Sequence, residues 1–454
     1  MRKSHRFRKY SIGFVVAGSA MHRQRGSKMS NLSFDVAIIG GGIMGAATAY
    51  YLSRAGVSVG LFEKGRIGGE QSSRNWGAVR QQQRHPAEIP LMMESVRIWA
   101  GLERELGQQL DWRQQGQLSI AYNEKLLEAF SNWIPIGREF GLDTKIITPN
   151  EIRELLPHFE DGGCKGAIYT ASDGCAEPEK VAAAFVGAAK INGAHIFELC
   201  SVSAIEDQNG AARGLVTEQG QVRANAIVVT AGAWTGRLLK PLGIGHPSLW
   251  IRGSVGRTNI LPIKMRELVV DGRCAYRQRP DGRVNIAVAE DGFHDLMPES
   301  AVHGVKFLPL AMRNWRNVRF SLGKPMLRSL MGEFGNFTTH RTLDPQPDWK
   351  GLRKAAKSFF DEYPSAGSIS YERGWAGYID YMPDELPVIG EIPGRSGLYV
   401  AAGFSGHGFG MGPVVGRMMA DLLQGNPVGQ DLQPFRPERF SKSSKIGAKR
   451  GVGL

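Results

Sequence analysis

Three times along the chain a short apolar run ends in glycine and gives way to apolar residues at helical spacing. In "FDVAIIGGGIMGAATAYYLSRAGVSVGLFEK", Val36, Ile38 and Ile39 read as a buried strand, and Ala46, Ala47, Ala49 and Leu52 carry a helix that Gly56 stops. The second unit runs from a strand over Ile227 to Thr230, through Ala231 and Gly232, into another helix. The third, "GLYVAAGFSGHGFGMGP", leads into "PVVGRMMADLL". There Val414, Val415, Met418, Met419, Leu422 and Leu423 form one apolar face, with Pro413 expected in the first turn and Gly425 at the stop. Units at the front, middle and end predict one discontinuous nucleotide domain with another domain inserted between its pieces.

The inserted stretches carry their own patterns. Ile89, Met92, Met93, Val96, Trp99 and Leu102 fall at helical spacing, and "DWRQQGQLSIAY" then reads as a strand. Thr148-Pro149-Asn150-Glu151 is a capping box with proline just inside the helix. "CAYRQRPDGRVNIAVAE" predicts a hairpin around Pro280-Asp281-Gly282.

The glycines of the first unit define its chemistry. Gly40, Gly42 and Gly45 make GxGxxG between strand and helix: the first turns, the second admits a pyrophosphate, the third lets helix and sheet pack closely. Backbone N–H groups at the helix start, at Ile43 and Met44, then face the phosphates. Glu63, 18 residues after Gly45, is placed to accept from ribose hydroxyls, with Lys64 beside it. This unit alone leaves NAD and FAD both open. The polar loop that follows carries Ser72, Ser73, Arg74, Asn75 and Trp76, a mixture suited to a flat polar ring system, and then Arg80.

Charge narrows the class. Of the net +13, residues 1–30 supply +8 and residues 436–454 supply +5, leaving the body neutral. The excess reads as a disordered basic leader and tail, so no nucleic-acid partner is expected. The body has no apolar run long enough for a membrane span. Cys164, Cys175, Cys200 and Cys274 lack metal-ligand spacing and fit a reducing, cytoplasmic setting without a metal. "YSIGFVVAGSAM" mimics a short signal-peptide core, yet a second start at Met29 favours a dispensable leader.

Taken together, the GxGxxG unit with Glu63, "SSRNWGAVR", "SDGCAEPEKVAAAF", "VVTAGAWTG", "GWAGYIDYMPDELPVIG" and "GFSGHGFGMGP" resemble the D-amino-acid oxidase superfamily from about Phe34 to Phe440. The branches most similar are the sarcosine oxidase β-subunit, glycine oxidase and opine or hydroxyproline oxidases. The resemblance implies an α/β protein: a Rossmann-like FAD-binding domain and an inserted, mostly antiparallel sheet forming the substrate domain. The expected FAD pieces are 31–110, 161–245 and 369–440, with substrate pieces at 111–160 and 246–368, leader at 1–30 and tail at 441–454.

It further implies oxidation of a C–H next to an amine, with a hydride equivalent passing to flavin N5 and the imine then hydrolysed. The substrate would be a small amine, an amino acid or an N-substituted amino acid. Val202, Ala231, Gly232, Trp234, Gly403, Ser405, Gly406, His407, Gly408 and Phe409 complete the expected FAD set. Arg80 is the first candidate to anchor a substrate carboxylate, with Arg277 and Arg279 behind it. His407 would sit on the flavin side and Tyr378 would flank the substrate.

Three positions depart from the family pattern. Gly377 stands where some members attach flavin through cysteine, which implies noncovalent FAD; Gly410 and Asn285 stand where some carry lysines. Reoxidation by O2 or by another acceptor is therefore open. An FAD-bearing subunit of a hetero-oligomer, or C–OH oxidation as in glycerol-phosphate dehydrogenases, are the alternatives.

Overall fold

The computed structural model describes residues 32–440, apart from 161, 290–291, 315–317, 322–323 and 333–335. The expected leader and tail, and the second start at Met29, lie outside the described residues.

Strand β1 (Leu32–Ile39) is the centre of an eight-stranded sheet. It pairs in parallel with β2 (Val59–Phe62), Val36 opposite Val59, and with Gly220–Val229, Val36 opposite Ala226. Leu398–Ala402 joins beyond, parallel to Ile227–Val229. The three strand–glycine–helix units are thus neighbours in space, and their glycines open at one end of the sheet. Strands buried on both faces read as continuous apolar runs, which is why these three were visible.

One face of this sheet packs against α1 (Ile43–Arg54) and the helices Ile89–Leu106, Pro178–Ile191 and Gly408–Leu423 in a single core. The last helix starts at Gly408, five residues before Pro413, so the proline is interior and not in the first turn. Its glycines explain the difference. A Cβ on Gly416 would lie 2.4 Å from Ala47 Cβ, and one on Gly412 would lie 2.5 Å from Ile43 Cδ1. Close packing on α1 holds the extra turn despite the hydrogen bond lost at proline.

A ten-stranded sheet, antiparallel at most of its pairings, forms the second layer. Its longest pair is Leu249–Ile260 against Tyr371–Tyr381, in register from Leu249 opposite Tyr381. Cys274–Gln278 and Arg283–Val288 form the expected hairpin, and Thr148 and Glu151 the expected capping box. Two boundaries move. Gly166–Thr170 pairs with Gln117–Ala121, and Tyr371–Tyr381 lies along Leu249–Ile260, so both belong to the second sheet. The pieces drawn as 161–245 and 369–440 therefore each begin with a strand of the other layer.

Candidate active site

A cavity of about 550 Å³ lies where the glycine ends of the first sheet meet the second. Its floor is the first unit. Gly40 has φ +107, and a Cβ there would meet the Thr230 carbonyl oxygen at 2.6 Å. A Cβ on Gly45 would lie 2.0 Å from the Gly40 oxygen, so Gly45 packs helix to strand and does not line the cavity. Gly42 is the N-cap of α1 and makes no side-chain cap. Gly42, Ile43 and Met44 all face the cavity. Glu63 is half-buried, accepting from Gly41 N at 2.7 Å and from Gly65 N; desolvation raises its pKa against these bonds.

The polar loop forms the next wall. Ser72 Oγ accepts from Ile43 N at 2.8 Å. Asn75 ties the loop to itself through the Gln71 and Ser72 carbonyls, and Arg74 bonds the Ala376 carbonyl at 2.9 Å. Lys64 reaches Glu70 and stacks over Trp234, whose Nε1 also donates to Glu70. Trp76, Val202, Ala231 and Gly232 complete this side. Gln71 Nε2 and Arg84 Nη1, on side chains lining the cavity, are buried without a hydrogen-bond partner among the described residues. Glycine backbone at a helix start, a half-buried acid at ribose distance in sequence, and orphaned donors together fit a bound dinucleotide.

The far wall holds the strongest electrostatics. Arg80 lines the cavity, and among the described residues its guanidinium has no hydrogen-bond or ion-pair partner. Burial lowers its pKa against the pull of Asp173 and Glu88. Burial and then the charge of Arg80 push Arg84 down to about 9. Gln82 Nε2 reaches the Gln117 and Ile168 carbonyls, and Asp173, raised by burial to about 6, accepts from Gln81 N at 2.7 Å. Residues 80–84 are therefore fixed by hydrogen bonds and their cations are left facing the cavity.

His407 Nδ1 sits against the Glu88 carboxylate. Burial alone would raise the Glu88 pKa, but His407 and then Arg84 bring it below the usual range. Burial and Arg84 in turn lower His407. A neutral ring whose Nδ1–H donates to Glu88 leaves Nε2 as an acceptor. Asp380 holds the same loop by accepting from Gly403 N at 2.7 Å, and Ser405 Oγ accepts from Met382 N at 3.0 Å. Gln83, Glu385 and Ser405 all line the cavity with positive φ. Such backbone persists where the surroundings over-determine it.

Several expected residues lie elsewhere. Arg277 is fully buried and bonded to Glu177 and to the Trp76 carbonyl; it supports the polar loop from beneath and is off the cavity wall. Arg279 pairs with the same Glu177. Tyr378 points its hydroxyl at Asp295 at 2.7 Å, on the opposite side of its strand from Gly377, Ile379 and Tyr381, which do line the cavity. Strand alternation from Gly377 was the signal that would have selected Tyr381. Ser73 and Gly403 shape their loops without reaching the wall. At Gly410 a Cβ would meet Met92 Cε at 2.9 Å, so this glycine serves helix packing. Arg84, Glu88, Asp380 and a small-residue apolar face of Val255, Val270, Ala275 and Ala287 were not singled out by sequence. Among the described residues no cysteine lines the cavity.

The family model described as DAO, FAD dependent oxidoreductase, matches residues 35–422. Glycine oxidase of Bacillus subtilis is 27% identical over 415 residues, spanning 89% of this chain and 97% of that protein. Human mitochondrial sarcosine dehydrogenase is 24% identical over 435 residues, 94% of this chain but 43% of that longer protein. The solved structure of L-amino acid deaminase from Proteus myxofaciens in complex with anthranilate superposes with a TM-score of 0.85 at 26% identity, covering 91% of this chain and 94% of that one.

Proposed function

The chain belongs to the FAD dependent oxidoreductases of the DAO family, and we propose that the amine it oxidises is that of an amino acid or N-substituted amino acid whose carboxylate is held by Arg80. The observation carrying this is the Arg80 guanidinium on the cavity wall, without a hydrogen-bond or ion-pair partner among the described residues. A carboxylate would meet that guanidinium in a bidentate, charge-assisted pair. Arg84 beside it adds a second cation on the wall. The apolar face of Val255, Val270, Ala275 and Ala287 suits a hydrocarbon substituent on the substrate.

FAD would be held, without a covalent link, by the start of α1, Glu63, the Ser72–Trp76 loop and the loop through His407. When bound it supplies the hydride acceptor. The residues of this chain orient and deprotonate: His407, in the tautomer set by Glu88, offers Nε2 to the substrate ammonium proton. The helix Gly408–Leu423 directs its positive end at the same region, favouring negative charge on the reduced cofactor. Four buried cysteines, none in a disulfide, support a reducing compartment such as the cytoplasm.

Anaerobic titration of the purified flavoprotein with amino acids, sarcosine, proline derivatives, opines and polyamine conjugates tests the reading. Bleaching by carboxylated amines is expected. Bleaching only by amines lacking a carboxylate, or by hydroxy compounds alone, would overturn it. Admitting O2 and then a quinone to the reduced protein separates oxidase from dehydrogenase behaviour.

A further inference from the structure

The helix Pro298–Asn314 is amphipathic in the reverse of the usual sense. Phe307 is its buried contact with the body, whereas Val302, Val305, Leu308 and Met312 are exposed by 74, 76, 54 and 77%. At 100° per residue these four fall on one stripe, opposite Phe307. Phe320 on the strand Val318–Ser321, and Leu327, Leu330 and Met331 at the end of the helix Lys324–Leu330, are exposed as well. Eight of the thirteen exposed large apolar side chains among the described residues thus lie within 302–331. Scattered apolar side chains are ordinary on a surface, but such a concentration marks a contact face.

The face is built into the body. Arg237 pairs with Glu299 at 2.9 Å at the start of the helix, and Lys306 Nζ donates to the Phe440 carbonyl at 3.2 Å. Its charge points to one occupant. From 300 to 332 the sequence holds six lysines and arginines and no acidic residue. Lys306, Arg319 and Arg328 are exposed among the apolar side chains. A second copy docking by this face would bring two positive patches together. An anionic lipid surface instead offers hydrocarbon to the stripe and negative headgroups to the cations. No helix among the described residues is long and apolar enough to cross a membrane, so the contact is with the surface.

We propose that the face made by Pro298–Asn314, Phe320 and the end of Lys324–Leu330 docks the protein on an anionic lipid bilayer. The full-length flavoprotein should float with vesicles containing about 30% phosphatidylglycerol and fail to float with pure phosphatidylcholine, with binding weakening above about 0.1 M salt. The variant Val305→Glu/Met312→Glu should lose about tenfold in vesicle partitioning while keeping its flavin spectrum. Unchanged partitioning of that variant would assign binding to the basic termini and overturn the proposal. So would absence of flotation, or light scattering that shows dimers broken by the same substitutions. A second measurement avoids dependence on the variant fold. The native cysteines are all buried, so Met312→Cys can be labelled selectively with a polarity-sensitive dye. Its emission should shift to the blue with the anionic vesicles alone; no shift would overturn the docking face.

Discussion

His407 Nδ1 lies 3.0 Å from Glu88 Oε1 and 3.1 Å from Oε2, fastening the last glycine-rich loop to the start of the helix Ile89–Leu106. The carboxylate is fully buried. Its folded pKa is depressed, so its stabilisation is present above the unfolded value of about 4.3 and fades as pH falls through the folded value. Glu88→Gln should therefore cost about 2 kcal/mol at neutral pH. The gap to the wild type, read by urea unfolding, should close in acid. A gap that stays constant down to pH values below about 4 would refute the ionised-Glu88 account.

Arg80 carries the substrate reading. Arg80→Ala should raise KM for a carboxylated amine about 100-fold, equivalent to ~3 kcal/mol, with FAD retained. Arg80→Lys keeps the charge but loses the planar fork and should fall between. An amine without a carboxylate should respond little to either change. Equal losses for both substrate types would instead make Arg80 a support of the cavity wall.

Glycines of the same chain should answer oppositely to alanine. The Cβ of Gly45→Ala would sit 2.0 Å from the Gly40 carbonyl oxygen, a backbone atom that cannot turn away. Loss of bound FAD or of soluble protein is expected. Gly101, inside the helix Ile89–Leu106, has open space where a Cβ would go. Gly101→Ala should stabilise by about 0.5–1 kcal/mol through helix propensity. Thermal melts of the two variants, with flavin content, decide both.

The residues whose placement was legible in sequence were those positioned by backbone. Gly40, Gly42 and Glu63 sit at fixed offsets from a strand and a helix, so spacing alone brought them to the cavity floor. Arg80 was reachable because it follows the polar loop directly. Tyr378 and Arg277 were misplaced because a side chain's face depends on strand register, and register is set by pairing with Leu249–Ile260 and with Arg283–Val288. Glu88 was invisible for another reason. It reads as an ordinary acid before a helix until tertiary packing brings His407, 319 residues away, against it.

Glu362, away from the cavity, should oppose the fold at alkaline pH. It is buried, accepts from the hydroxyls of Tyr122 and Tyr276, and lies 3.2 Å from Arg273. Burial first, and then the neighbouring Asp271, raise its pKa to about 8. Arg273 does not reverse this, because it is 44% exposed and shared with Asp271 at the same distance. The folded pKa lies above the unfolded value of about 4.3, so the proton is bound more tightly by the fold. The cost of ionisation is absent in acid, grows from about pH 4 and is complete above about pH 8. Glu362→Gln, which keeps the shape and can accept from one tyrosine, should match the wild type near pH 4. At pH above about 8 it should exceed it by something on the order of 2–4 kcal/mol. Denaturant unfolding across that range is the measurement. A wild type that gains on the variant as pH rises would show that the pair with Arg273 outweighs desolvation.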